Sequence, residues 1–134
     1  DDFLSNGYTK EEEKIIKETN KILGSKIKIT ATAVRVPTIG GHGESVNIEL
    51  KKNTTKKEII SILKTQKGLV VSEKNNYKTP IDTKSKNEVF VSRVRKDNSK
   101  KNSFNMWVIA DPLRKGAATN TVQILESLID LNSQ

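Results

Sequence analysis

The clearest structural pattern in this chain is the pair of segments Val89-Phe90-Val91-Ser92-Arg93-Val94-Arg95 and Phe104-Asn105-Met106-Trp107-Val108-Ile109-Ala110. Both are rich in β-branched and aromatic residues, and the turn-rich residues 96–103 lie between them. Two such segments on either side of a turn are typical of an antiparallel hairpin. We therefore predict two adjacent antiparallel strands at these positions.

Three further strands are predicted from alternation and β-branched content. Residues 26–36 follow this pattern until Pro37 ends the run, and residues 45–50 alternate polar and apolar side chains again. A short apolar strand is predicted at residues 69–72. The loop of residues 37–44, which contains His42, is therefore predicted to connect two strands.

Capping patterns and apolar spacing predict three helices. Thr9-Lys10-Glu11-Glu12 is a capping box that opens a helix over about residues 10–23, with Gly24 as its stop. Thr55-Lys56-Lys57-Glu58 is a second box, and its helix ends before Gly68. The third helix is predicted to begin at about Leu113, and it places these residues on one face: Ala117, Thr121, Ile124, Leu125, Leu128 and Ile129.

The order of these elements predicts the fold class. Strands and helices are mixed without strict alternation, which favours an α+β fold with an antiparallel sheet. The polar residues 73–87 contain Pro80 and are predicted to form a long loop. A chain of 134 residues has room for one domain of ordinary size.

Composition excludes several functions. The apolar runs are too short to cross a bilayer, so no membrane partner is predicted. The chain has no cysteine, which excludes disulfides, thiolate metal sites and a cysteine nucleophile within these residues and favours a cytoplasmic origin. With one histidine, no metal site is predicted. The net charge is +8, but neither a helix-turn-helix nor a basic strand with interleaved aromatics is present, so nucleic acid is not predicted as a partner.

The candidate site residues are His42, the only histidine, and Arg35, seven residues before it. Imidazole transfers a proton near neutral pH, and a guanidinium binds a carboxylate through two hydrogen bonds. Together they suit a substrate that bears a carboxylate. The simpler interpretations are a structural histidine on a flexible glycine-rich loop and a surface arginine on a strand. Glu11 and Lys14 lie one helical turn apart and are most simply an ion pair.

Four parts of the chain resemble aspartate-semialdehyde dehydrogenases. They are residues 7–12 with 18–23, residues 33–46, residues 88–95 and residues 106–118. The resemblance implies an α+β domain with a mixed, largely antiparallel sheet covered by helices, like the C-terminal domain of the glyceraldehyde-3-phosphate-dehydrogenase-like family. It implies that residues 1–134 are the C-terminal part of a substrate-binding and dimerisation domain, with exposed apolar surface in isolation.

The same resemblance implies a longer enzyme. The NADP-binding Rossmann domain and the catalytic cysteine would lie upstream, because this chain has no glycine-rich dinucleotide motif and no cysteine. We also expect the chain to begin inside the longer protein and to be inactive alone. The complete homodimeric enzyme would reduce aspartyl-4-phosphate to aspartate semialdehyde and phosphate with NADPH, through a cysteine thioacyl intermediate. This reaction belongs to the biosynthesis of lysine, threonine and methionine, and of diaminopimelate.

Site roles follow from the resemblance, position by position. His42 matches the family's acid/base histidine, and Arg35 matches the arginine that holds the substrate α-carboxylate. Glu11 matches the glutamate that binds the substrate amine, and Lys14 the lysine that contacts the phosphate. The turn around Asp111 resembles the segment that returns toward the nicotinamide, so Pro112 is the candidate cofactor contact, although it stands where an amide side chain is common.

Two further positions depart from the family pattern, and two alternatives stay open. Gly43 stands where a serine is usual, and Glu13 stands where a tryptophan is often found. One alternative is the related N-acetyl-glutamyl-phosphate reductase, which Glu11 disfavours because an acetylated amine carries no positive charge. The other is a non-catalytic basic binding or assembly module, which would bind polyanions with a steep dependence on salt.

Overall fold

A helix and the irregular segment that follows it form the first of two compact units, Asp1–Pro37 and Thr38–Gln134. The structure is a computed structural model, and it describes residues 2–74 and 76–132. Helix α1 spans Lys10–Leu23, as predicted. The Glu12 amide donates to Thr9 Oγ1 at 3.2 Å, the Thr9 amide donates to the Glu12 carboxylate at 2.7 Å, and Gly24 ends the helix with a left-handed φ of 58°. Both halves of the predicted capping box are thus confirmed.

The strand predicted at residues 26–36 is wrong, because the described part of this segment forms no strand. A strand needs a neighbouring strand for its ladder, and a single bridge between Phe3 and Thr9 is the only β-pairing described in the first unit. Backbone amides of the segment donate hydrogen bonds to side chains of α1 instead. The Ile27 amide donates to Asn20 Oδ1 at 2.6 Å, and the Ala33 amide donates to Glu12 Oε1 at 2.8 Å.

A four-stranded mixed sheet forms the centre of the second unit. Its strands are β1 (His42–Glu49), β2 (Leu69–Val71), β3 (Val89–Lys96) and β4 (Ser103–Ala110), in the order β1-β4-β3-β2. β4 is antiparallel to both β1 and β3, whereas β2 is parallel to β3. The predicted hairpin and the predicted α+β class with a largely antiparallel sheet are therefore confirmed.

The core of the second unit lies between the sheet and helix α2 (Lys56–Lys64), which begins at the predicted capping box of Thr55 and Glu58. The buried apolar residues of this core are Ile59, Ile60, Val91, Val94, Phe104 and Met106. Val91 and Val94 both contribute although they lie three positions apart, because β3 bulges between Ser92 and Arg95. A bulge adds a residue to one strand and so changes which side chains share a face.

Helix α3 spans Thr119–Asn132 and follows a π-helical turn at Arg114–Ala118. The helical segment thus begins close to the predicted start at Leu113, but its first turn is π-helical, and Ala117 lies in that turn rather than in α3. Four residues of the predicted apolar face are 52% to 58% exposed, namely Ile124, Leu125, Leu128 and Ile129. This face agrees with the exposed apolar surface expected from the sequence. None of the helices in the described residues has the length and apolar character that a membrane crossing requires.

Candidate active site

Glu11 and Lys14 lie on the first turns of α1, at the spacing that brings two side chains to the same face of a helix. Lys14 Nζ is 3.6 Å from Glu11 Oε1, and both side chains are about half exposed. The predicted ion pair is therefore present. Exposed pairs of this kind contribute at most about 1 kcal/mol to stability, so the helix does not depend on this pair.

A cavity of about 310 Å³ in the first unit is lined by both Glu11 and Arg35. Its other lining residues are Asp2, Thr9 and Lys10, and Lys10 Nζ forms an ion pair with the Asp2 carboxylate at 2.8 Å. The structure thus brings two of the three predicted substrate-binding residues to one cavity, while Lys14 lies outside its lining. The Glu11 carboxylate and the Arg35 guanidinium on the same cavity suit a ligand with both a positive and a negative group.

Glu12 connects the helix to the segment that carries Arg35. Its side chain is only 7% exposed. Its two carboxylate oxygens accept hydrogen bonds from the Thr9 and Ala33 amides, and these donors, Thr9 foremost, lower the pKa of Glu12. The sequence identified Glu12 only as a helix cap. The capping pattern is local, so it carried no signal for the bond to Ala33, 21 residues away.

His42 is the first residue of β1, opposite Ala110 of β4, so its predicted placement in a connecting loop is wrong. The ladder extends to this position because β4 itself runs as far as Ala110. The imidazole is 66% exposed, and its Nε2 lies 3.6 Å from Glu44 Oε1. His42 therefore belongs to the second unit, whereas the cavity with Glu11 and Arg35 belongs to the first.

The glycines before His42 allow a close approach to the protein's own loop. Gly40 has a φ of +99°, and a Cβ built on it would stand 2.4 Å from the Pro80 carbonyl oxygen. A Cβ on Gly41 would stand 2.2 Å from Thr83 Oγ1, and the Gly41 amide donates to the Pro80 carbonyl at 2.9 Å. Glycine at both positions is therefore required by packing next to the 3₁₀ turn of Ile81–Thr83.

The turn after β4 is organised by Asp111. Its carboxylate accepts hydrogen bonds from the Ser85, Leu113 and Arg114 amides at 2.7, 2.8 and 3.0 Å. These backbone donors, Ser85 foremost, hold the pKa of Asp111 below its ordinary value. Pro112 lies within this turn and has no side-chain hydrogen-bonding group. Within the described residues, no group of three histidine, aspartate or glutamate side chains is placed to hold a metal ion.

Residues 1–115 match the family model described as semialdehyde dehydrogenase, dimerisation domain. The chain belongs to this semialdehyde dehydrogenase family. The resemblance that the sequence indicated is therefore confirmed, and it extends over most of the chain.

Relatives and solved structures within the semialdehyde dehydrogenase family agree with this assignment. Aspartate-semialdehyde dehydrogenase of Rickettsia typhi is 47% identical over 132 residues, which is 96% of this chain and 39% of the relative. That of Bacillus subtilis is 45% identical and covers 98% of this chain. A crystal structure of aspartate semialdehyde dehydrogenase II from Vibrio cholerae, complexed with ASA, has a TM-score of 0.92 and 41% identity, and covers 97% of this chain and 39% of its own.

The chain thus spans about 39% of the length of the semialdehyde dehydrogenases that it matches. A probable aspartate-semialdehyde dehydrogenase from Pseudomonas aeruginosa has a TM-score of 0.88 at 27% identity. The fold is therefore retained where the sequence has diverged further.

Proposed function

We propose that this chain is the C-terminal substrate-binding and dimerisation part of an aspartate-semialdehyde dehydrogenase. The complete protein would be a cytoplasmic homodimer that reduces aspartyl-4-phosphate to aspartate semialdehyde and phosphate, with NADPH as reductant. The observation that carries the proposal is that Glu11 and Arg35 line one cavity. The family match and its description as a dimerisation domain support the proposal.

An amino acid substrate explains why Glu11 and Arg35, which have opposite charges, line the same cavity. The α-carboxylate of such a substrate fits the planar guanidinium of Arg35, which offers two parallel N–H donors. Its α-ammonium fits the carboxylate of Glu11. A substrate whose amine is acetylated has no charge to offer Glu11 and would leave that carboxylate desolvated without a partner. The pair therefore favours aspartyl-4-phosphate over an N-acetylated glutamyl phosphate.

Lys14 is the residue proposed to contact the phosphate. Its ammonium lies 3.6 Å from Glu11, just outside the cavity lining. A lysine ammonium is a compact, mobile charge that suits a phosphate group better than a planar carboxylate. Glu11 and Lys14 would thus act on the amine and on the phosphate of the same substrate.

His42 is proposed as the acid/base residue. Its exposed imidazole is available to a group outside this chain, and Glu44 is too far away to hold it through a short hydrogen bond. The sequence has no cysteine, so the thiol nucleophile of the family would come from the part of the protein outside these residues. In that arrangement His42 would accept the thiol proton and later serve the tetrahedral intermediate.

Pro112 does not fit the role of a cofactor contact. It has no hydrogen-bonding side chain, and the adjacent Asp111 carboxylate is already occupied by three backbone amides. NADP would therefore be bound mainly by residues outside this chain.

The proposal is tested with the complete protein. It should convert aspartate semialdehyde in the presence of phosphate and NADP, and His42→Gln should lower turnover by about a hundredfold or more, as loss of an acid/base group does. Glu44→Gln is the control, because it removes a neighbouring charge and leaves the imidazole of His42 in place. Near-normal turnover of His42→Gln would remove His42 from the mechanism. Activity toward N-acetyl-glutamate semialdehyde alone would show that the proposed substrate is wrong.

A further inference from the structure

The two capping boxes of this chain use the same residue types, but their glutamates do different things. Glu58 accepts hydrogen bonds from the Thr55 amide at 2.6 Å and from Thr55 Oγ1 at 2.7 Å, both through Oε2. Glu12 accepts from the Thr9 amide through Oε2, and its Oε1 accepts from the Ala33 amide at 2.8 Å. Of the two capping glutamates, only Glu12 therefore joins its helix to a distant segment.

The burial of the two side chains follows this difference. Glu12 is 7% exposed, whereas Glu58 is an exposed residue. A carboxylate that is removed from water needs hydrogen-bond donors on both oxygens. The Thr9 and Ala33 amides supply them, so the ionised form of Glu12 is the one that the structure accommodates.

The hydrogen bond from the Ala33 amide to Glu12 lies close to two residues of the proposed substrate site. Ala33 is two residues before Arg35, and α1 carries Glu11 next to Glu12. The described residues of this segment belong to no strand, so no sheet ladder fixes its register. The bond from Ala33 to Glu12 fixes the segment against the helix directly before Arg35 enters the cavity.

We propose that Glu12 is a positioning residue, which holds Arg35 at the distance from Glu11 that the substrate needs. This inference rests on the proposed function of Arg35 and Glu11. Glu12 itself lies outside the cavity lining and is not proposed to touch the substrate. Its effect on binding acts through the backbone of residues 33–35.

The decisive variant is Glu12→Gln in the complete protein. Glutamine has nearly the same shape, but it has only one oxygen acceptor, and its NH₂ group cannot accept from an amide. We expect the cap at Thr9 to keep the oxygen, because that bond lies within one helical turn. The Ala33 amide then loses its acceptor. Glu58→Gln is the matched control, since it changes the same residue type at the same position of a capping box and leaves Ala33 untouched.

Two measurements test the inference. Hydrogen exchange of a peptide covering residues 30–37 should be at least about tenfold faster in Glu12→Gln and unchanged in Glu58→Gln. The KM for aspartate semialdehyde should rise about tenfold or more in Glu12→Gln with kcat within about threefold, because the substrate contact is misplaced while the reacting groups remain. Glu12→Asp, which keeps the charge but is one methylene shorter, is measured in parallel and should show both changes.

The outcomes separate this inference from the proposed function. If Arg35→Leu raises KM while Glu12→Gln and Glu12→Asp behave like Glu58→Gln, Glu12 does not position Arg35 and the inference is overturned. If Arg35→Leu itself leaves KM unchanged, the proposed substrate site is wrong, whereas the exchange measurement still decides whether Glu12 holds the segment. In a double variant, Glu12→Gln should add little to the KM of Arg35→Leu, since the two act on the same contact.

Discussion

The indole of Trp107 covers the backbone of Gly43, and a Cβ built on Gly43 would stand 2.4 Å from Trp107 Cη2. The two residues lie on the same face of adjacent antiparallel strands, because Trp107 pairs with Ser45 and Gly43 pairs with Ile109. The indole is held in place by its Nε1, which donates to the Lys78 carbonyl at 2.9 Å. The absence of a side chain at Gly43 is therefore required by the position of the Trp107 indole.

This close contact predicts that Gly43→Ser destabilises the protein. The added side chain would displace the indole from Lys78, and overpacking of this kind costs about 1–3 kcal/mol. Urea unfolding of the complete protein measures the change. Gly116→Ala is the control, because the nearest atom to a Cβ there is Pro112 Cβ at 3.7 Å, an ordinary contact. Equal stability of Gly43→Ser and wild type would show that Trp107 moves aside without cost.

Asp111 predicts a loss of stability in acid. Its pKa lies below the ordinary value of 3.8 because backbone amides stabilise the charged form. That contribution is therefore fully present above the ordinary pKa and is lost as the pH falls through the lowered one. Asp111→Asn should be less stable than wild type at neutral pH, and the difference should shrink below about pH 4.

Urea midpoints measured across the acid range test this prediction. Asp130→Asn, at an exposed position of α3, makes the same change of charge without the backbone donors and should show no such convergence with wild type. A difference between Asp111→Asn and wild type that stays constant down to low pH would mean that the native carboxylate is not stabilised by its three donors.

We predict that replacing Ser92 by alanine does not lower the stability of the protein. Its side chain is 1% exposed, and its Oγ has no hydrogen-bond partner in the described structure. Removing an unpaired buried hydroxyl leaves nothing unsatisfied, so Ser92→Ala should be neutral or stabilising by up to about 1 kcal/mol. Ser103→Ala is the matched comparison, because that buried hydroxyl donates to the Lys101 carbonyl at 3.4 Å. A larger loss of stability in Ser92→Ala than in Ser103→Ala would contradict the expectation.

We predict that replacing Arg35 weakens substrate binding more than it lowers turnover. A charge-assisted pair with the substrate carboxylate is made in the ground state and the transition state alike, so Arg35→Leu should raise KM by about 10- to 100-fold with a smaller effect on kcat. Arg35→Lys should be intermediate, because it keeps the charge but not the two parallel donors. Arg95→Leu, on the exposed part of β3, is the control for loss of an arginine elsewhere. Steady-state kinetics of the complete protein distinguish these cases.

The elements that the sequence predicted correctly are those specified by local chemistry. The two capping boxes predicted where α1 and α2 begin, because a cap requires only residues within one helical turn. The hairpin of β3 and β4 was equally local, with its turn in the sequence between its strands. Elements of this kind can be predicted without knowing which distant residues they contact.

The predictions that were wrong depended on distant partners. Alternation in residues 26–36 indicates that one face is exposed to solvent, but it does not indicate whether a neighbouring strand is present. In the structure, the side chains of Asn20 and Glu12 accept hydrogen bonds from backbone amides of this segment instead. The sequence predicts His42 in a loop because it lies between the strands predicted at residues 26–36 and 45–50. The position of this segment in the structure depends on the close contacts of Gly41 with Thr83 and Ala110, and both residues lie far along the chain.

The bulge in β3 means that this strand contains one residue more than its ladder requires. Ser92 is paired with Trp107 and Arg95 with Asn105, so two residues on β3 lie opposite the single residue Met106. Arg93 has a left-handed φ of 54°, a conformation that costs an arginine about 1–2 kcal/mol. Deleting residue 93 would leave Val94 opposite Met106 and restore an unbroken ladder. We therefore expect a variant that lacks residue 93 to keep Val91 and Val94 on the core face, and urea unfolding of this variant tests whether the shortened strand retains its stability.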